Sequence, residues 1–436
     1  MVKTRVEESL GANPGDAALN PADSVAMGVP GSHAPHWLET SRGRPFRALA
    51  HRPYKLLMMA FLVNQTGFWI SHLSLQQLMV DLTNNDPLMV GVLFFALFIP
   101  AFLLAPLAGV TADRFDRKQI VLASYLLIVA VSTVLATTTL AGLIGPPLLL
   151  ALASLMGTGF AFAGPANMAI AANAVPFEDL PSAISLQSVA NNSTRVFGPT
   201  LAAPLIAGGA LGVSFGIYAV AASIGALLIS RIEIGEFVRQ PGDAGIFSRI
   251  RSGFEHARER RPSLAALGVV AVLSIFGGSH IALIPVFNEE VLGTRELFPW
   301  MMALTGVGAL CGSLVTGFGT RSLRATGVQT ALYALCIGAF ATTRDWRIAL
   351  ATQMLSGFFF FWVMTNLQTV IQQAVADSNR GRVMSLFQVC WAGLLPFGGL
   401  GMGATANAIG VVHTLEAASA ITLVFGVVVS LLYWRR

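Results

Sequence analysis

The sequence predicts an all-α membrane protein with twelve transmembrane helices, and two observations carry this prediction. First, 54% of the 436 residues are hydrophobic and only 11% are charged, whereas about a quarter of the residues of a soluble protein are charged. Second, the stretches 88–110, 119–174 and 264–288 contain no Asp, Glu, Lys or Arg. Each is at least as long as the roughly 20 residues that cross a bilayer as a helix. Because backbone groups in lipid need partners within their own segment, such runs predict helices.

Charged breaks and breaks rich in Pro and Gly divide the chain into apolar segments. The predicted spans are 55–80, 88–110, 119–141, 147–171, 182–208, 211–230, 264–288, 298–318, 326–342, 348–372, 383–406 and 412–434. They form two six-helix bundles, at 54–230 and 264–436. Residues 1–53 contain no long apolar run, and we therefore expect them to form a disordered cytoplasmic tail. The linker 231–263 contains an amphipathic segment, which predicts either a helix lying on the membrane or a solvated charged connection.

The positions of the basic residues predict the orientation. All but four of the 27 Lys and Arg residues lie in the terminal tails or in the loops after even-numbered spans. The exceptions are Arg195, Arg295, Arg344 and Arg347. Because short, positively charged loops stay in the cytoplasm, both termini are predicted to be cytoplasmic, in a multi-pass protein of the cell inner membrane. The net charge of +5 therefore marks a membrane face, and no nucleic-acid partner is expected.

A weak internal repeat supports the division into two bundles. Residues 200 positions apart match in pairs: Ala174 with Ala374, Val175 with Val375, Ser185 with Ser385, Leu186 with Leu386, and Gly198 with Gly398. The matched stretches lead from the fourth span into the fifth and from the tenth into the eleventh. This repeat predicts that the two bundles are pseudo-symmetric.

The loop between the second and third spans, GVTADRFDRKQI, is unusually rich in charge. Its key residues are Gly109, Asp113, Arg114, Arg117 and Lys118. A carboxylate at Asp113 could dock at the N-terminus of a helix from the other bundle, where unpaired N–H groups and the helix dipole favour negative charge. The loop is therefore predicted to be a conformational latch between the bundles. A loop that merely keeps its basic residues in the cytoplasm is the alternative.

These residues resemble the signature loop of the major facilitator superfamily, although Asp116 stands where that family usually has glycine. The resemblance implies that the docking partner is the eleventh helix, near Arg382, and that Gly109 allows close backbone approach. The fifth span resembles the antiporter signature of the superfamily, with alanines in place of two glycines. The residues concerned are Gly198, Pro199, Ala202 and Ala203.

Stretches 64–91, 193–199 and 379–385 resemble one branch of the superfamily, the enterobactin-exporter-like transmembrane secretion effectors. The resemblance covers about residues 54–434 and implies the major facilitator fold with export against protons. In that branch an acid often follows the glycine of the first helix. Here Phe68 follows Gly67, so an acid that would carry the proton at this position is absent.

Polar side chains inside spans are costly, so each predicts a functional role. Gln187, Asn191 and Arg195 follow one another at helical spacing on one face of the fifth span, and the resemblance implies that this span faces the first across a cavity. A snorkelling or paired structural arginine is the alternative for Arg195. The candidates for binding substrate or a coupled ion are Asn64, Gln65, His72, Gln76, Gln187, Asn191, Arg195, His280, Gln388 and Trp391.

Several other functions are excluded by missing motifs. A Walker loop needs Gly-Lys followed by Ser or Thr, and none of Lys3, Lys55 and Lys118 follows a glycine. No His-Glu-x-x-His motif occurs, and no metal, cofactor or enzymatic activity is expected. The sequence predicts a monomeric secondary active transporter that exports a small amphiphilic molecule, siderophore-like or drug-like, by alternating access and proton antiport. The alternatives are a facilitator or importer of a small solute or lipid, or a membrane sensor that transports nothing.

Overall fold

A computed structural model describes residues 46–233, 261–315, 322–375 and 377–433. The predicted N-terminal tail, up to residue 45, and most of the predicted linker lie outside these residues. The described residues from Phe46 onward belong to one compact unit. A short 3-10 helix, Arg47–Ala50, precedes the first long helix, which begins at Arg52, slightly before the predicted start of the first span.

The long helices follow the order of the predicted spans. The first six are α1 (Arg52–Thr83), α2 (Pro87–Leu103 and Ala105–Arg114), α3 (Arg117–Leu140), α4 (Pro146–Asn173), α5 (Leu180–Ala207) and α6 (Leu211–Ser230). The second six are α7 (Arg261–Val272, Leu273–Gly277, Gly278–Leu283 and Ile284–Val291), α8 (Leu297–Val315), α9 (Leu323–Thr342), α10 (Trp346–Ala374), α11 (Asp377–Gln388, Val389–Gly393 and Leu395–Ile409) and α12 (Val411–Leu432).

Ten of these helices are long and apolar enough to cross a membrane, and the bent pair of segments in α2 raises the number to eleven. The remaining helix, α5, has 28 residues, which at 1.5 Å per residue gives a length of about 42 Å. It is less apolar than the others because it carries the polar series Gln187, Asn191 and Arg195.

Four helices begin at a side chain that caps their first backbone N–H groups. Asp86 accepts from the N–H of Leu88 at 2.9 Å, and Ser322, Asp345 and Asp116 cap α9, α10 and α3 in the same way. Such caps each stabilise a helix by about 1 kcal/mol. Asp116, which departs from the family pattern, is therefore the N-cap of α3.

Three of the described helices are interrupted along their length. The two segments of α2 meet at an angle of 45°, because Pro106 lacks the N–H that would continue the hydrogen-bond ladder. In α7 a π-helical turn, Leu273–Gly277, runs into a 3-10 turn, Gly278–Leu283. A second π-helical turn, Val389–Gly393, interrupts α11. Such turns often occur at functional sites, and both lie beside the cavity described below.

The two glycines of the internal repeat pack in equivalent ways. A Cβ atom at Gly198 of α5 would overlap Trp69 of α1, and one at Gly398 of α11 would overlap Ser279 of α7. The crossing of α5 with α1 is thus repeated by that of α11 with α7. Ala202 and Ala203 of α5 are also buried, as expected of small residues where helices pack closely in a membrane.

The halves α1–α6 and α7–α12 meet most closely where α2 crosses α11. A Cβ atom at Gly91 would lie 2.8 Å from the carbonyl oxygen of Gly399 and 3.0 Å from the Cα of Gly403, so only glycine fits there. This crossing lies toward the end of the bundle that carries the α1–α2 and α7–α8 loops. We name that end the Asp81 face, and we name the opposite end, where α1 begins and α12 ends, the terminal face.

Candidate functional site

A cavity of about 340 Å³ lies between the two halves and contains five of the predicted site residues. These residues are Gln65, His72, Arg195, His280 and Trp391. Aromatic side chains from α1, α2 and α10, including Phe68, Phe98 and Phe361, form much of the remaining wall. Apolar walls with a few placed polar groups are typical of sites that bind small molecules. We name this space the central cavity.

Arg195 enters the central cavity from the middle of α5. Its backbone is pressed against α8, since a Cβ atom at Gly306 would lie 2.8 Å from the Arg195 carbonyl oxygen. The guanidinium carbon lies 4.7 Å from the centre of the Phe361 ring, a favourable cation–π distance. Its Nε is buried and has no hydrogen-bond partner among the described residues. Arg195 therefore lines the cavity, and one buried donor of its guanidinium is unused within the described residues.

His72 lies on α1 inside a group of aromatic rings. The Phe68 ring stacks on the imidazole with centroids 5.4 Å apart, and the rings of Phe98 and Trp69 approach edge-on at 5.6 Å and 5.9 Å. Its Nε2 lies 3.0 Å from the side-chain amide nitrogen of Gln76. Its Nδ1 has no hydrogen-bond partner in the part of the chain that is described.

His280 lies in the 3-10 turn of α7 and joins a polar network. Its Nδ1 lies 2.7 Å from the carbonyl oxygen of Gly277, and its Nε2 lies 3.3 Å from Oε1 of Gln353 on α10. The same Oε1 accepts hydrogen bonds from Ser356 at 3.2 Å and Thr305 at 3.4 Å. The break in α7 thus brings His280 to the side chain of a distant helix.

A second cavity of about 580 Å³ lies within the N-terminal half, on the side of the terminal face. It contains the predicted residues Asn64, Gln65, Gln187 and Asn191, together with Phe160 and other apolar side chains of α4. Gln65 lines both cavities. The polar faces of α1 and α5 therefore extend from the central cavity toward the terminal face.

The structure does not bring every predicted residue to these cavities. Gln388 of α11 is exposed and lines neither of them. Gln76 is buried and lines neither, and it reaches the central cavity only through its contact with His72. The sequence shows polar residues within spans, but it does not show which way each one faces.

A cluster at the Asp81 face joins the two halves and was not among the predicted site residues. The buried Gln77 of α1 donates to Asp81 at 3.1 Å and, across the halves, to Glu289 of α7 at 2.9 Å. Arg295 donates to Asp81 at 3.3 Å, and its Nε lies 3.7 Å from Glu289. We name these four residues the Asp81 cluster. The sequence places Asp81 and Glu289 near the outer ends of spans, where gating acids and ordinary solvated acids look the same, and it does not show that these residues meet.

The charged loop between α2 and α3 makes contacts within the N-terminal half. Lys118 Nζ donates to the carbonyl oxygen of Ile232, after α6, at 2.7 Å, and Arg117 Nε donates to that of Ala112 at 3.4 Å. Both basic groups thus donate hydrogen bonds to backbone carbonyl oxygens that lie near helix ends. The side chain of Asp113 and those of its expected partners on α11 lie outside the described residues.

Gly109 does not make the predicted close approach in this structure. A Cβ atom there would meet no atom of the described residues within 4 Å. The halves are joined here at the Asp81 face, whereas the predicted latch lies at the terminal face.

The amino-acid sequence is similar to those of known membrane transporters. A family model described as a transmembrane secretion effector matches residues 43–435. An uncharacterised major-facilitator-type transporter of Bacillus subtilis is 27% identical over 391 residues, which cover 85% of this chain and 92% of the relative. The staphyloferrin A transporter of Staphylococcus aureus is 25% identical, with coverage of 82% and 92%. Macrolide efflux protein A of Streptococcus pyogenes is 25% identical, with coverage of 72% and 80%.

Solved structures share the fold. A nucleoside transporter superimposes with a TM-score of 0.70 at 11% identity, covering 88% of this chain and 99% of the other. A bacterial homologue of the human lysosomal transporter Spinster gives a TM-score of 0.69 at 15% identity, with coverage of 88% and 98%. The predicted all-helical fold is confirmed. The chain is a multi-pass membrane transporter of the major facilitator superfamily and belongs to its transmembrane secretion effector family.

Proposed function

We propose that this transporter exports a small amphiphilic molecule, siderophore-like or drug-like, from the cytoplasm in exchange for protons. The observation that carries the proposal is the central cavity, in which apolar and aromatic walls from both halves surround the side chain of Arg195. Such walls suit the apolar part of a substrate, and a guanidinium suits its oxygen acceptors. The names of two relatives, a staphyloferrin A transporter and a macrolide efflux protein, support substrates of this kind.

The mechanism that we propose is alternating access, in which the two halves rock about the central cavity. The Asp81 cluster and the crossing at Gly91 close one face, and they must separate for substrate to leave there. The charged loop of α2 and α3 then holds the opposite face closed. Since both walls of the cavity come from one chain, we propose that the monomer is the working unit.

Transport by the purified protein in liposomes tests the function. Staphyloferrin A and a macrolide serve as probes, each with and without an imposed pH gradient. We expect at least one probe to move against the direction of proton flow. Movement in the same direction as the protons would identify an importer, movement that ignores the gradient would identify a facilitator, and no movement under any gradient would favour the sensor.

The proposed orientation places the terminal face in the cytoplasm of a cell inner membrane. Glu178, in a short turn before α5, and Glu296, before α8, are both exposed and lie at opposite faces. With the three native cysteines replaced, Glu296→Cys in intact cells should react with an impermeant maleimide. Glu178→Cys should react only after the cells are opened. The reverse pattern would overturn the orientation and the export direction with it.

The proposed latch predicts a large effect at Asp113. Asp113→Asn should lower the transport rate about tenfold or more, because it removes a charge that stabilises one of the two conformations, and each 1.4 kcal/mol is a factor of ten. Asp116→Asn is the matched control, since asparagine also caps a helix, and it should have little effect. Equal rates for Asp113→Asn and the unmodified protein would exclude the latch.

A further inference from the structure

A short pattern recurs in α1 and α7 with the same spacing. Residues of the two helices that are 208 positions apart match: Phe68 with Phe276, Ser71 with Ser279, His72 with His280, Leu75 with Leu283, and the acids Asp81 with Glu289. These helices open the two halves of the fold and are equivalent in them. Both histidines line the central cavity, and both acids belong to the Asp81 cluster. The pattern therefore places one histidine of each half at the cavity.

A glutamine side chain lies beside each histidine, and its amide can form a hydrogen bond with either protonation state of the imidazole. A backbone carbonyl only accepts, so Nδ1 of His280 carries a hydrogen toward Gly277, and Nε2 faces the amide of Gln353. With Oε1 facing it, as in this structure, both ring nitrogens point at acceptors, which suits an imidazolium. Rotation of the amide by 180° presents its NH2 group and suits the neutral ring.

The amide of Gln76 can likewise donate to or accept from the His72 ring. The amide nitrogen faces Nε2 at 3.0 Å in this structure, which suits a neutral ring that carries its hydrogen on the unpartnered Nδ1. The rotated amide would accept a hydrogen bond from a charged ring. The Phe68 ring, which stacks on the imidazole with centroids 5.4 Å apart, also favours the cation. The site is thus built for a ring that gains and loses a proton.

Among the described residues that line the cavity, no carboxylate is present that could gain and lose a proton in place of the histidines. Its ionisable side chains are His72, Arg195, His280 and Tyr333. The helices packed against α1 and α7 contribute these further titratable groups within the bundle: Tyr125, Tyr218, Cys336 and Cys390. The nearest acids on the two helices themselves are Asp81, Glu289 and Glu290, near the Asp81 face. Of the groups facing the cavity, only the two imidazoles ordinarily titrate between pH 5 and 8.

We propose that His72 and His280 bind the protons that this transporter exchanges for its substrate, an inference that rests on the proposed function. Each imidazole takes up one proton from the solvent, at Nε2, when the cavity is empty and open. A substrate that holds its oxygens at Arg195 and its apolar part against the rings displaces that water, and a charged ring in an apolar, water-free site is costly. Arg195 adds like-charge repulsion. Substrate and protons therefore exclude each other, which is what exchange requires.

The first test needs no substrate and uses Trp69, whose ring lies 5.9 Å from that of His72. A protonated imidazole quenches a neighbouring indole, so tryptophan emission of the purified protein should fall as the pH drops from about 8 to about 4. His72→Gln and Trp69→Phe should each remove most of that fall, while His413→Gln, at an exposed histidine, should keep it. Gln76→Glu should move the fall to higher pH, because a carboxylate favours the charged ring.

The second test uses the probe that the transport assay identifies. The quantity compared is the transport rate with a pH gradient divided by the rate without one. This ratio should fall to about 1 in the His72→Gln/His280→Gln variant and keep its full value in His413→Gln. Gln353→Glu, which places an acid beside His280, should shift the pH dependence of the rate upward.

The outcomes separate this inference from the proposed function. An emission change that persists in His72→Gln, or a gradient ratio that stays high in the double variant, would overturn the role of the histidines while leaving the exporter in place. If no probe moves even with the unmodified protein, the proposed function fails. The emission test then still decides whether His72 gains a proton in this pH range.

Discussion

Arg195→Ala should abolish transport while leaving expression and thermal stability close to those of the unmodified protein. The guanidinium makes a cation–π contact with Phe361 and leaves its Nε without a partner among the described residues. Removing it therefore breaks no hydrogen bond of that atom within the fold. A hydrogen bond to a charged group contributes about 1.5–3 kcal/mol, so losing one should weaken substrate binding by roughly 10- to 150-fold.

Arg195→Lys separates charge from geometry. Lysine keeps the positive charge but lacks the planar fork that holds two oxygens of a carboxylate or catecholate at once. Partial activity would mean that charge suffices, and near-complete loss would mean that the fork is needed. The measurement is probe transport in liposomes together with the melting temperature of each variant.

Arg347→Ala is the matched control for the arginine experiment. Its guanidinium also stands over an aromatic ring, that of Trp346, at 5.2 Å, but it lies at the start of α10, away from the cavity. This variant should transport normally. If Arg195→Ala transported equally well, or failed to fold, the assignment of Arg195 to the substrate would be wrong.

Cross-linking the two halves at the Asp81 face should stop transport reversibly. The side chains of Gln77 on α1 and Glu289 on α7 touch at 2.9 Å, so cysteines at these positions lie within reach of a short bifunctional thiol reagent that forms disulfides. Alternating access requires this face to open in every cycle. The bridged protein should lose at least about nine-tenths of its transport, and a reductant should restore it.

The control for cross-linking lies within one helix. Cysteines in place of Gln77 and Asp81 are one turn apart on α1 and belong to the same half, so bridging them should leave the halves free to separate. Both experiments need the native Cys311, Cys336 and Cys390 replaced, since all three are free thiols. Full transport by a completely bridged Gln77–Glu289 pair would exclude opening at this face.

The sequence predicted the helices far better than their interruptions. The predicted second, seventh and eleventh spans contain a bend, a π turn followed by a 3-10 turn, and a second π turn, respectively. A hydrophobic run reports only that a segment avoids water. Whether its hydrogen-bond ladder stays regular depends on prolines such as Pro106 and on what the neighbouring helices offer the freed groups.

The fold brings only part of the predicted site residues together. Gln65, His72, Arg195, His280 and Trp391 meet in one cavity, although they come from four separate helices. Gln388 and Gln76 do not line it. The direction of a side chain depends on helix rotation, which packing at close crossings such as Gly198 against Trp69 decides.

The sequence by itself determined the membrane-spanning helical class and the family, because the bilayer requires long apolar segments that can be read locally and the loop from Gly109 to Lys118 is a local signature. Only the tertiary structure decided the partners of Arg195 and His280, and the joining of Asp81 with Glu289 across the halves. Those partners are distant in the chain or depend on how each helix is turned. Their contacts therefore arise from helix packing, which no single segment encodes.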